Sequence, residues 1–327
     1  LEVNGFEPYD IEFMEIDTRY NPAKALALQG NKECIKEAEI LLNMANQRHD
    51  NDFAVKSQLI IAIFKAFQGH NTQVNTILDE IKDVIPNTKD ELKNYIDWHF
   101  IKMLNHLFSK DYDILKQELP GLINFTVNVG AYSYQPLFKG IWGKVLFENN
   151  ETSRANDIYY ELINFCSENK LAGSALLLWY LLAGSELKLQ NIDSAVSIAE
   201  QALNVAQNPT IKNHFFIVLF KKQLAEIHAA KADHAMASMY AEQALQLAQN
   251  LDLTLWQVKI SLLCGQIFKL KALVEINEKV ENVQNAYTMH MEALELVKNI
   301  HNKNVVHEIE NSINELNQFC QRENIDI

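Results

Sequence analysis

Residues 182–208 read LAGSELKLQNIDSAVSIAEQALNVAQN, and residues 224–250 read LAEIHAAKADHAMASMYAEQALQLAQN. Laid over one another they agree at Leu182/Leu224, Ala183/Ala225, Ala195/Ala237, the whole of 199–203 against 241–245, Ala206/Ala248 and Gln207-Asn208/Gln249-Asn250. The offset is 42 residues throughout. Self-similarity at a fixed spacing of this size marks a stacked repeat architecture, in which each unit buries its apolar face only against its neighbours. Small residues fall at i, i+4 and i+7 (Ala195, Ala199, Ala202, then Ala237, Ala241, Ala244), which puts them on one helix stripe where a second helix can approach closely. Each stripe is expected to belong to the second helix of a helical hairpin.

The pattern extends outward from this pair. From Pro22 onward, segments with apolar residues at i, i+3, i+4 and i+7 alternate with short polar breaks near Gly30-Asn31, 49–52, 69–71, 86–89, Lys110-Asp111, Asn149-Asn150, Gln190-Asn191 and Asn208-Pro209, giving about fifteen helices. The chain carries only 10 Gly and 6 Pro, too few for the many tight turns of an all-β chain of 327 residues. Residues 1–20 are acidic, and the alternation at Ile11, Phe13 and Ile16 predicts a single strand or a linker. Residues 304–324 place Val306, Ile309, Ile313, Leu316 and Cys320 on one face, which suits a cap on the last repeat or two heptads of a coiled coil. The expected division is 1–21 as a linker or short N-terminal extension, 22–303 as helical repeats, and 304–327 as a C-terminal capping helix.

The hairpin around Ala195 resembles the tetratricopeptide-repeat family, carrying Trp179, Leu182, Ala183, Ala195 and Ala202 at that family's large, Leu-Gly and small-residue positions. An earlier unit supplies Trp142, Gly143, Ala155, Tyr159 and Leu162, and a later one Leu224, Ala225, Ala237, Ala241 and Ala244. A fourth unit is expected around Ala286, His290 and Ala293 after an insertion near 274–282, and a degenerate one at Ala38, Leu42 and Ala45. The family's Tyr position holds Leu146, Glu186 and His228. The 40 to 42-residue period exceeds the usual 34 and resembles the long-helix type of maltose-regulator-like bacterial regulators and kinesin light chains. The resemblance implies an all-α, right-handed superhelical α-solenoid of stacked antiparallel helix pairs.

Composition narrows the function classes. With 29 Lys and Arg against 42 Asp and Glu, the net charge of −13 repels nucleic acid phosphates and acidic lipid headgroups, so neither direct nucleic acid binding nor membrane association is expected. Cys34, Cys166, Cys264 and Cys320 are scattered without a CxxC pair and read as reduced packing residues. The apolar run from Ser174 to Leu189 is interrupted by Ser185, Glu186 and Lys188, so no transmembrane helix is expected. A start at Leu1 with no signal-like segment points to a processed or excised piece of a longer chain, and a cytoplasmic location is expected from composition.

Enzyme signatures are missing from the sequence: there is no GxxxxGK[ST], GxGxxG after a strand, GxSxG or HExxH. Gly184-Ser185-Glu186 lies in a helical segment, where a nucleophile elbow cannot form. His99 and His106 share a helical face without acidic or Cys partners, and read as packing or surface residues. His301 and His307, near Glu308 and Glu310, read as a loose surface cluster. Asp50-Asn51-Asp52 starts like a calcium loop but lacks the later Gly and Glu, and reads as a helix cap. Trp98, Trp142, Trp179 and Trp256 read as core. No metal and no cofactor is expected.

The resemblance places function on the concave face lined by the first helix of each hairpin. In the frame set by Ala155, Ala195 and Ala237 the groove-facing residues are Gly140, Lys144 and Phe147, then Tyr180, Gly184 and Lys188, then Lys222 and Glu226. Lys144, Lys188 and Lys222 then form a ladder of positive charge with Phe147 and Tyr180 as apolar anchors. The expected partner is a protein or peptide bearing acidic and apolar groups. The expected role is a non-catalytic scaffold, the interaction or sensing domain of a larger bacterial-type regulator. The alternative is a small-molecule-sensing domain with a pocket between repeats near Tyr132 and Tyr134, in the Gly/Pro-bounded loop 130–136.

Overall fold

The computed structural model describes residues 8–300 and 302–325, so residues 1–7, His301, Asp326 and Ile327 lie outside the description. Among the described residues there are fifteen α-helices and no strand. The first six are α1 (Pro8–Leu28), α2 (Glu33–Gln47), α3 (Asn51–Gln68), α4 (Asn71–Lys82), α5 (Glu91–Ser109) and α6 (Tyr112–Asn128). Then come α7 (Gln135–Glu148), α8 (Thr152–Glu168), α9 (Ala172–Lys188), α10 (Ile192–Gln207) and α11 (His214–Ala230). The chain ends in α12 (His234–Asn250), α13 (Thr254–Val274), α14 (Lys279–Val297) and α15 (Lys303–Glu323). Each helix packs on its sequence neighbours, and the odd-numbered helices also pack on one another from α1 through α13. The result is a two-layered, right-handed superhelical α-solenoid with odd helices inside and even helices outside.

The alanine stripes explain the stacking. Ala195, Ala199 and Ala202 on α10, and Ala237, Ala241 and Ala244 on α12, are all 0% exposed, wedged between the inner helices on either side. On α14 the same stripe is Ala286, His290 and Ala293, all buried; on α2 it is Ala38, Leu41 and Ala45, with Leu42 turned half out. Gly143 on α7 sits so close to Tyr159 on α8 that a Cβ there would lie 2.6 Å from the ring.

The turns need few glycines. His49, Lys110, Asn150, Lys170, Gln190, Ala232 and Asp252 each take a positive φ at a helix end. The next residue then donates its N–H back into the helix, as in Asp111 to the His106 carbonyl, Glu151 to Leu146, Leu171 to Cys166 and Asn191 to Glu186, each at 2.9 Å. This is the left-handed C-cap bond pattern, which satisfies carbonyls the helix end leaves open. Asp50 caps α3, its carboxylate accepting from the Asp52 and Phe53 N–H groups.

The N-terminal expectation is corrected where it can be judged. Residues 8–20 are neither strand nor linker; they belong to α1, which continues past the expected boundary at residue 21 to Leu28. Ile16, Tyr20, Ala23 and Ala27 are buried at helical spacing, with Pro22 on the exposed side. Three alternating apolar residues are too short a signal to separate the two periods. At the other end α15 packs on α13 and α14, burying Val305, Ile309, Leu316, Phe319 and Cys320, while Val306 and Ile313 are half-buried. That stripe is taken up within the chain, against α13 and α14.

The superhelix also meets itself. The Gln29 side chain donates to the Ile211 carbonyl at 3.2 Å, Asn213 donates to the Leu28 carbonyl at 2.9 Å, and the Phe215 N–H donates to the Gln29 carbonyl at 3.1 Å. Lys32 pairs with Asp252 at 3.0 Å and the Gln68 amide donates to the Asp252 carbonyl at 3.1 Å. Gly30 and Gly69, at φ +72° and +82°, are where the α1–α2 and α3–α4 turns touch α11 and α13: a Cβ would lie 2.6 Å from Phe215 and 2.5 Å from Leu255. Lys110 reaches Glu308 on α15 at 2.9 Å, and Asn304 donates to the Ser109 carbonyl at 2.7 Å.

Candidate functional site

Because the superhelix closes on itself, the concave face is a chamber rather than an open groove. Helices α3, α5, α7, α9, α11 and α13 enclose a cavity of about 810 Å³. One wall is aromatic: Phe67 stacks on Phe215 with centroids 4.0 Å apart, and Trp256 stands edge-on to Phe108 and Phe215 at 5.6 and 5.7 Å. These rings, with Leu104, Leu177, Leu181, Leu219 and Leu262, make most of the lining apolar, as is usual in ligand chambers.

Seven of the eight residues read from the sequence as groove-facing line this chamber: Lys144, Phe147, Tyr180, Gly184, Lys188, Lys222 and Glu226. Gly140 does not; it faces α9, where a Cβ would lie 2.8 Å from Leu178 Cδ2. Phe147 is buried beneath the ammonium groups of Lys144 and Lys188, 4.3 and 4.4 Å from its centroid, so its face is covered by cations. Tyr180 is half-buried, edge-on to Phe220, and its carbonyl accepts from the Gln223 amide at 2.9 Å.

The ladder of bare positive charge is corrected. Lys144 is paired with Glu148 at 2.6 Å and Lys222 with Glu226 at 2.5 Å, each one helical turn on. Burial works against the charge on both lysines: it holds Lys144 below its usual range in spite of Glu148, whereas Glu226 and Tyr180 keep Lys222 above it. The third pair is Lys110–Glu308; burial pushes Glu308 up, but Lys110, then Lys259 and Lys222, hold its carboxyl below the usual range. Two chamber cations have no carboxylate in contact. Lys188 lies over Phe147, and Lys259 lies 4.9 Å from the Trp256 centroid. Burial, then repulsion from Lys110 and Lys222, pushes the Lys259 amine down to about 7, against a smaller pull from Glu308 and Glu226.

Two buried polar atoms of the chamber wall have no hydrogen-bond partner: the Trp256 indole nitrogen and Gln223 Oε1. Their residues are 2% and 3% exposed. Unpaired groups at such depth are costly unless something supplies the missing bond.

The loop tyrosines stand apart. Tyr132 is exposed, and Tyr134 donates from Oη to Asp97 at 2.6 Å, the same carboxylate that holds Lys24 at 2.9 Å. Tyr134 borders an adjoining cavity of about 240 Å³ between α1, α3, α5 and α7, which shares Leu28, Ile63, Phe100 and Leu137 with the chamber wall. Ser185 and Glu186 turn away from the chamber into a buried network: Ser185 donates to Asn156 at 2.5 Å, and Asn156 and Asn191 donate to Glu186 at 2.7 and 2.9 Å. His99 packs among Tyr95 and Trp98, its imidazole pushed down to about 4 by burial and by Lys102, and His106 bonds Asp111 at 3.2 Å. His301 lies outside the described residues; His307, Glu308 and Glu310 are exposed as expected, and Glu308 also lines the chamber.

Sequence reasoning missed Lys110, Trp256, Lys259 and Glu308. A signal existed for two of them: at an offset of 40, Phe216, Leu219, Lys222, Gln223 and Glu226 on α11 correspond to Trp256, Lys259, Leu262, Leu263 and Gln266 on α13, and all ten line the chamber. Lys110 and Glu308 are 198 residues apart and meet only through closure.

No family model matches the chain, and no curated protein matches it. Among solved structures, a crystal structure of a Rap protein complexed with competence and sporulation factor is similar: 12% identity over 93% of this chain and 88% of that one, with a TM-score of 0.61. The apo form of RapI aligns over 95% of this chain and 99% of its own at 12% identity, with a TM-score of 0.46. At this identity the first match is a likeness of fold, and it agrees with the helical-repeat solenoid. No helix among the described residues is long and apolar enough to cross a membrane.

Proposed function

We propose that this chain is a non-catalytic receptor that holds a short peptide in its central chamber, acting as the interaction or sensing domain of a larger bacterial-type regulator in the cytoplasm. The chamber carries the reading. It is about 810 Å³ and apolar-walled, and it presents polar groups from several repeats at once, so one extended ligand can touch most of the array. The unpaired Lys188 and Lys259 favour a partner with acidic as well as apolar groups, and the net charge of −13 disfavours nucleic acid. A fold relative seen with competence and sporulation factor supports a ligand-binding role for this architecture. The 40 to 42-residue period supports kinship with the maltose-regulator-like and kinesin light chain type of repeat.

The second reading is a small-molecule sensor, favoured by the volume of the central chamber, which lies within the range that small ligands occupy. The test is a thermal-shift and affinity-selection screen of the full chain against a hexapeptide library and a metabolite library, repeated on Gly184→Phe. Gly184 lines the chamber, and a Cβ there meets only the Gln223 amide, at 3.2 Å, so a ring at this position needs that one side chain to shift and no backbone to move. Peptides retained by the wild type and lost from a normally melting Gly184→Phe variant support the reading. Metabolites retained in their place support the second, and ligands held equally by the filled variant overturn both.

A further inference from the structure

Where α5, α11, α13 and α15 converge on the chamber, the charges do not balance. Lys110, Lys222 and Lys259 face two carboxylates, Glu226 and Glu308, which are engaged by Lys222 and Lys110. Lys259 is left over, half-buried, with no carboxylate paired to it among the described residues and its ammonium 4.9 Å from the Trp256 ring centroid. Trp256 is one helical turn before it on α13 and carries the unpartnered indole N–H; Gln223 offers the unpartnered acceptor from α11. An unpaired cation beside an unpaired neutral donor, both on the chamber wall, is a cradle for an anion, and flat two-oxygen anions take two donors at once.

We infer that the chamber recognises a carboxylate of its ligand, seated between the Lys259 ammonium and the Trp256 indole N–H, with Gln223 Oε1 accepting a hydrogen bond from the same ligand. This rests on the peptide-receptor reading above and specifies its chemistry. The carboxylate completes three cation–carboxylate pairs in the cluster. It also recharges the site: with the empty-state amine pushed down to about 7 by burial and by Lys110 and Lys222, opposed by Glu308 and Glu226, Lys259 takes up a proton when the anion binds at pH 8. A peptide carries such a group either at its C-terminus or on Asp and Glu side chains.

The test uses the full chain and a random hexapeptide library in two forms, free acid and C-terminal amide, with retained peptides identified by mass spectrometry. The best binder is then resynthesised as the amide and with Asp and Glu replaced by Asn and Gln. Loss of at least tenfold in affinity for one of these forms identifies the source of the carboxylate, and the same loss is expected for Lys259→Met, whose side chain fills the position without charge. Calorimetry at pH 8 in phosphate and in Tris is expected to report proton uptake for the wild type. Lys259→Arg, whose guanidinium stays charged, keeps the carboxylate preference without the uptake. Equal affinity for acid, amide and Asn/Gln forms, or a loss that follows Lys188→Met and spares Lys259→Met, overturns the inference and leaves the peptide receptor standing. Retention of no peptide from either library overturns both.

Discussion

Lys259 concentrates the electrostatics of the chamber in one side chain. Its amine, held near 7 in the folded chain, returns to the usual lysine range near 10.4 on unfolding. Between those values the unfolded state binds more protons than the folded one, so this residue makes stability rise as pH rises from about 7 to about 10. Below 7 the cost of burying the charge is paid in full. Lys259→Met is therefore expected to be more stable than wild type at pH 6 to 7, by roughly 1–3 kcal/mol after discounting ~1.4 kcal/mol per unit for residual solvent contact. The two melting curves should converge toward pH 10. A gap that does not change with pH would show that Lys259 keeps an ordinary amine in the folded chain.

The repeating element is the outer helix with its alanine stripe. Ala199 and Ala241 are 0% exposed at equivalent places in α10 and α12, and no space remains beside them for a larger side chain. Replacing either with Phe is expected to cost ~1–3 kcal/mol by overpacking. The pair should behave alike in chemical denaturation, since each stripe meets the same kind of neighbour. Unchanged midpoints in both would remove the basis for the 42-residue frame. The stripe was legible in the chain because small residues at helical spacing have few other uses in an interior. Which apolar residues of the inner helices face the chamber was less legible: those helices are apolar nearly all round, and α9 shows the problem with Leu176, Leu177, Leu178, Leu181 and Leu182 all buried.

For the whole molecule, closure depends on a few polar links and two glycine turns. Gly30→Ala forces a Cβ into the left-handed region, at ~1–2 kcal/mol, and against Phe215. Gly121→Ala is the control, with nothing within 4 Å of the added carbon and an ordinary helical backbone. Gly30→Ala is expected to lower the melting temperature and raise the radius of gyration in solution scattering as the α1–α2 turn leaves α11. Gly121→Ala should do neither. A Gly30→Ala variant with unaltered scattering would mean that the turn shifts locally and the ring stays shut.

Periodicity and small-residue register, which arise within a few turns of helix, were enough to read off the all-helical class, the hairpin stacking and the cap on α3 by Asp50, while seven of the chamber-lining residues came from the repeat-family resemblance laid on that register. The helical state of residues 8–20 was not readable, because Ile11, Phe13 and Ile16 are too few to separate a period of 2 from 3.6, while the burial of Ile16, Tyr20, Ala23 and Ala27 depends on α2 and α3. The pairing of Lys110 with Glu308, the seating of Gly30 on Phe215 and the isolation of Lys259 were beyond any local pattern. Small rotations added repeat by repeat bring residues some 180 to 220 positions apart into contact. Curvature accumulated along the array is a property of the helices' summed packing, and it is that sum which turns an open groove into a chamber with two cations to spare.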